Sequence, residues 1–77
     1  MHIEIILLGQ LCWYDRERRS KLSFDVKEQT TLKEILDVLG VPMNEVASAL
    51  VNGIKTSLEY RFNDGDKVEF LPVIDGG

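Results

Sequence analysis

Cysteine, histidine and long apolar runs are what this 77-residue sequence has least of. One cysteine, Cys12, excludes an internal disulfide, and with no secretion signal the expected compartment is a reducing cytoplasm. One cysteine and one histidine together speak against a zinc or iron–sulfur centre built from this chain. No stretch approaches the roughly 20 apolar residues of a membrane helix. The opening "IEIILLG" is short, carries Glu4 and lacks a basic leader, so it reads as a strand and not as a signal peptide. No repeat, linker or low-complexity segment interrupts the chain. The net charge of -4 disfavours a nucleic-acid backbone as partner and suits a partner with a basic docking surface.

What is present describes one small domain. The 44% hydrophobic content is that of a globular protein. Met1, Ile3, Ile5 and Leu7 alternate onto one strand face. Ile6 and Leu8 weight the other, as in a strand covered on both sides. Leu22, Phe24 and Val26 alternate again, with Lys21, Ser23 and Asp25 turned outward. The connection "GQLCWYDRERRS" is too long for a tight hairpin and is expected to be a strand extension plus a charged loop.

"TTLKEILDVLG" has the grammar of a helix. Thr31 and Glu34 stand in the capping-box relation, and Leu32, Ile35, Leu36 and Leu39 form one apolar stripe. Gly40 and then Pro42 end it, which predicts a helix of about 9 residues, from about Leu32 to Leu39. Asn52-Gly53 is a hairpin turn between two short strands. "NDGD" is a further turn, after Leu58, Tyr60 and Phe62. "KVEFLPV" is the last strand, with Val68 and Phe70 inward and Pro72 ending the ladder. The fold class is α+β, one helix on a small mixed sheet. Pairing of the last strand with the first would make it a β-grasp fold.

Behind the last strand stand Gly76 and Gly77. Without side chains, they offer about 7 Å of backbone to a channel too narrow for other residues. A carboxylate on Gly77 is ionised at neutral pH and inert until activated. Activation by a nucleotide would make it an acyl adenylate, open to attack by a persulfide or a thiol. The bland reading of the same residues is a frayed end without function.

"FNDGDKVEFLPVIDGG" behind "LVNG" resembles the C-terminal half of the molybdopterin-synthase small subunits and thiamine sulfur-carrier proteins (the MoaD/ThiS family). The resemblance covers the whole chain in element order and is specific from Val51 onward. It implies a ubiquitin-like β-grasp domain over residues 1–77, with 73–77 a flexible tail and the free protein a monomer. It further implies a sulfur carrier that binds no cofactor and is no enzyme itself. Gly77 would be adenylated with ATP by a ubiquitin-activating-like adenylyltransferase and converted to a thiocarboxylate with the help of a sulfur donor enzyme. A sulfur-acceptor synthase would then take the sulfur. Gly76 would provide the slender approach.

Pro72-Val73 and the long first connection favour the molybdopterin branch, whereas the spacing from Val73 to Gly77 resembles the thiamine branch. Asp75 departs from the small or uncharged residues commoner there. Phe70, Leu71, Pro72, Val73 and Ile74 are the expected docking residues for partners, because they exceed the apolar content a frayed end requires. Two other functions use the same fold: a ubiquitin-like modifier joined through Gly77 to protein lysines, and a non-covalent β-grasp binding module with an idle tail.

Four other features have plainer readings. Cys12, beside Trp13, reads as a packed thiol before a nucleophile or sulfur relay. His2 reads as a surface residue. Trp13 and Tyr14 read as packing over the core's edge before a docking patch. "DRERRSK" reads as a solvated loop before a surface for an acidic partner.

Overall fold

The structure, a computed structural model, describes residues 1–74. Five strands form one mixed sheet in the order β2-β1-β5-β3-β4. They are β1 (His2–Leu7), β2 (Lys21–Asp25), β3 (Val46–Val51), β4 (Ile54–Thr56) and β5 (Lys67–Pro72). One helix, α1 (Leu32–Leu39), lies between β2 and β3 in sequence. β5 runs parallel to β1 and antiparallel to β3, so the last strand occupies the middle of the sheet. This is the ubiquitin-like β-grasp arrangement, and it holds the chain's exit in the most firmly paired strand.

The inner face of the sheet is built by strict alternation. Ile3, Ile5 and Leu7 of β1, Val68 and Phe70 of β5, and Ala49 and Val51 of β3 are all buried. Leu32, Ile35 and Leu36 of α1 complete the same core, and Leu39 is half-buried at its margin. The helix bounds are those its sequence predicts. Thr31 accepts a hydrogen bond from the Glu34 N–H through its side chain, and the Glu34 carboxylate accepts one from the Thr31 N–H. Gly40 closes the helix in the left-handed conformation, at φ 77°. Asn52 and Gly53, at φ 52° and 85°, turn β3 into β4.

Two sequence expectations change. The connection after β1 is not a strand extension: Gly9–Tyr14 forms a 3-10 helix, followed by the charged loop. Gly9 at φ 55° breaks the strand, and the turn it starts tucks Leu11 fully into the core. Nor is β1 sealed on both faces. With a single helix covering the sheet, Ile6 and Leu8 are only half-buried.

The loop before β5 is fastened by one buried carboxylate. Asp66 accepts hydrogen bonds from the Tyr60 hydroxyl (2.7 Å), the Asn63 N–H (2.8 Å) and the Asn52 side-chain amide (2.8 Å). Burial alone pushes the Asp66 carboxyl up, but these bonds outweigh it and hold the group below the ordinary carboxylate range. The same bond to Asp66, with burial, raises the Tyr60 phenol. Asn52 also accepts from the Lys67 N–H, tying the β3–β4 turn to the start of β5.

Candidate functional site

β5 determines where the chain leaves the fold. Of the expected docking residues on it, Phe70 is corrected by the structure. It is 0% exposed and points into the core, because inward alternation places it with Val68. Leu71 and Pro72 are half-buried, Val73 is exposed, and Ile74 is 86% exposed. Asp75, Gly76 and Gly77, the expected tail and reacting end, lie outside the described residues. The expected tail starts at residue 73, yet Val73 is bonded on both sides. Its N–H donates to the Glu45 carbonyl (3.0 Å), and its carbonyl accepts from the Gln10 side chain (3.2 Å).

Beside this exit lies the uncovered face of the sheet. Strand register places Lys21, Ile6, Glu69, Leu50 and Lys55 in one row across the five strands. One step further along β5, Leu71 stands opposite Ser48. Ile6, Leu50 and Leu71 are half-buried around Glu69, with no helix over them. Ile6 was assigned by sequence to a second buried face; its true setting is this open one. Leu50 gave no separate signal, since a β3 residue between Ala49 and Val51 reads as ordinary strand.

A second exposed surface lies on the 3-10 helix after β1. Trp13 is 68% exposed, not packed over the core's edge, because the turn spends its inward position on Leu11. The Arg18 guanidinium lies 5.8 Å from the Trp13 ring centroid, within cation–π range. Tyr14 is 40% exposed, while Cys12 is half-buried against the core. Asp15 accepts two hydrogen bonds from the Arg19 side chain and one from its N–H. The Arg19 guanidinium holds the Asp15 carboxyl at about 2. The rest of the charged loop is exposed. His2 is a surface residue whose ring meets Asp25 at 3.3 Å.

A concavity between α1 and the segment before β5 carries opposite charges: Lys33 and Arg61 against Glu34, Asp37 and Glu59. It offers no anion site at the helix start. The N–H groups of Leu32 and Lys33 already donate to the carbonyls of Tyr60 and Leu58, and that of Glu34 donates to Thr31. Among the described residues, no cluster of histidine, cysteine and carboxylate side chains is arranged to hold a metal. Among them also, no helix is long and apolar enough to cross a membrane.

Comparison with known proteins agrees with this architecture. A family model described as Mut7-C ubiquitin matches residues 10–76. SAMP1 from Haloferax volcanii superimposes with a TM-score of 0.77 at 20% identity, each chain covered in full. Urm1 from Trypanosoma brucei gives 0.70 at 22% identity, covering 99% of this chain and 95% of its own. A complex of subunits 1 and 2 of molybdopterin-converting factor from Helicobacter pylori gives 0.62 at 20% identity, with both chains fully covered. These likenesses establish the shared β-grasp fold. No curated protein sequence matches the chain at a significant level.

Proposed function

The chain belongs to the Mut7-C ubiquitin family, and from that premise we propose that it is a sulfur carrier, a protein co-substrate whose reacting group is the carboxylate of Gly77. The observation that carries this reading is the setting of β5. An apolar strand locked in the middle of the sheet delivers exposed Val73 and Ile74 just before Gly76 and Gly77, beside an uncovered apolar face. That is the layout of a protein that docks by its surface and reacts at its end. The structural likeness to a molybdopterin-converting factor subunit and to Urm1 supports it.

The chemistry belongs to partners. A ubiquitin-activating-like adenylyltransferase binds ATP, and the Gly77 carboxylate attacks its α-phosphate, releasing pyrophosphate. A persulfide on a sulfur donor enzyme then displaces AMP. Reduction of the resulting S–S bond by a thiol leaves a thiocarboxylate. A sulfur-acceptor synthase consumes it in the cytoplasm, for molybdopterin in preference to thiamine. Ile6, Leu50, Leu71, Val73 and Ile74 provide the docking surface, and Gly76 threads the narrow channel. Asp75 meets a cation on the partner, which offsets its repulsion of the ATP phosphates.

The reading requires Gly77 to be the last residue of the working protein, which intact-mass measurement on protein from cells checks directly. The activity test is mass spectrometry after incubation with the cognate adenylyltransferase, ATP and a sulfur donor. The native protein gains the mass of one sulfur in place of one oxygen. A form extended by one residue has its Gly77 carboxyl buried in an amide and gains nothing. Deletion of Gly77 leaves the carboxylate about 3.5 Å short, and Gly76→Val is excluded from the channel; both fold and both fail. Gain of that mass by the extended form at the native rate would refute the carrier. Adducts on protein lysines would transfer the function to a ubiquitin-like modifier.

A further inference from the structure

The root of the tail is clasped. Gly9, at φ 55°, passes so close to β5 that a Cβ on it would lie 3.0 Å from Pro72 Cγ. The next residue, Gln10, donates its side-chain N–H to the Val73 carbonyl at 3.2 Å. From the other side, the Glu45 carbonyl accepts the Val73 N–H at 3.0 Å. Pro72 has no N–H to bond, so Val73 is the first residue after it whose amide can tether the exit, and that amide is used. The connection after β1 and the 3-10 turn Met43–Glu45 therefore grip the chain at one point from two directions. The Gln10 contact is not needed to seal the core, since Gln10 is exposed.

We infer that Gly9 and Gln10 are positioning residues for the carboxylate of Gly77, acting through the fixed Val73. This inference rests on the carrier reading above. Four residues, Ile74 to Gly77, lie beyond the clasp, which limits their reach to about 14 Å. With the root fixed, docking of the sheet face also sets the origin and direction of that short segment, so the carboxylate searches a small volume around the ATP. With the root loose, the same docking leaves the reacting end spread over a larger one, and a misplacement near 1 Å costs about a hundredfold in rate.

The separating measurement is ATP–pyrophosphate exchange by the cognate adenylyltransferase at varied carrier concentration, on the native protein and on Gly9→Ala, Gln10→Ala, Gln10→Glu and Gln10→Lys. Gln10→Ala and Gln10→Glu remove the donor at an exposed position, so they fold even where Gly9→Ala fails to. Both are expected to lose kcat by about tenfold or more while KM stays within about twofold of native, because Ile6, Leu50 and Leu71 of the docking face are untouched. Gln10→Lys retains a donor and recovers part of the rate. The {1H}–15N NOE of Val73 falls in the two donor-less variants while those of Leu71 and α1 do not. Native kcat in Gln10→Ala and Gln10→Glu, or a rise in KM alone, overturns the inference while the carrier reading stands. Absence of exchange by the native protein defeats the carrier reading and this inference with it.

Discussion

The two faces of the sheet are made from alternate residues of the same strands, and they do different work. On the helix side, Ile5, Leu7, Val68, Phe70 and Val51 are sealed by α1 into one continuous core. On the other side, Ile6, Leu50 and Leu71 stand half-buried among Lys21, Lys55 and Glu69, with no helix over them among the described residues. A 77-residue chain has little apolar surface to spare, and three aliphatic side chains on an uncovered face are not stability it needs. On the carrier reading they serve a partner. One step in alternation, from Phe70 to Leu71, then separates a residue that holds the fold from one proposed to meet a partner.

That contrast breaks most sharply at those two positions. Phe70→Ala is expected to cost about 3–5 kcal/mol, and Leu36→Ala on the facing helix about 2–5 kcal/mol. Either is a large share of a small domain's stability, and chemical denaturation reads both. Asp66→Ala comes next, at about 1.5–3 kcal/mol, because it strands donors from Tyr60, Asn63 and Asn52 that bond a charged acceptor. Leu71→Asp or Leu50→Asp on the open face, where both side chains are half-buried near Glu69, is expected to cost about 1–2 kcal/mol, less than Phe70→Ala. Each should still weaken adenylyltransferase binding about tenfold or more in calorimetry. An equal loss of stability from Phe70→Ala and Leu71→Asp would erase the distinction between the faces.

The smallest effect is electrostatic and lies away from both faces. Asp15 is held at about 2 by Arg19, below the ordinary carboxylate value of about 3.9. A depressed carboxylate stabilises fully above its unfolded value, and that contribution is lost as pH falls through the folded one. The Asp15–Arg19 pair therefore persists at pH 4 and dissolves toward pH 2. NMR titration of the Asp15 carboxyl checks this; a midpoint near 4 contradicts it.

The core was legible because its signals are local. Alternation assigned Ile3, Ile5 and Leu7, and the Thr31–Glu34 box with Gly40 located α1. The order of elements pointed to β-grasp, while the reacting end expected at Gly76–Gly77 lies outside the described residues. What sequence missed depends on how many layers cover the sheet. Ile6 reads as core in a strand covered twice, and one helix cannot cover both faces. Phe70 was read as inward with Val68 and was also grouped with Leu71 to Ile74 as docking surface; its full burial keeps only the first reading. The clasp was invisible for a different reason. Gly9, Gln10, Glu45 and Val73 come from three separated stretches, and only the parallel pairing of β1 with β5 brings the first two to the last. A glycine directly after a strand was the one available hint. Trp13 was placed at the core's edge because the 3-10 helix that turns it outward follows from Gly9, not from aromatic content.

The division of labour between the faces is tested most directly by NMR mapping of the native protein with its cognate adenylyltransferase. Backbone amide signals of Ile6, Leu50, Glu69, Leu71, Val73 and Ile74 are expected to shift or broaden on titration, while those of Lys33, Asp37 and Val38, on the exposed side of α1, stay in place. Perturbation centred on α1, with the open face unchanged, contradicts the assignment of that face to partner docking.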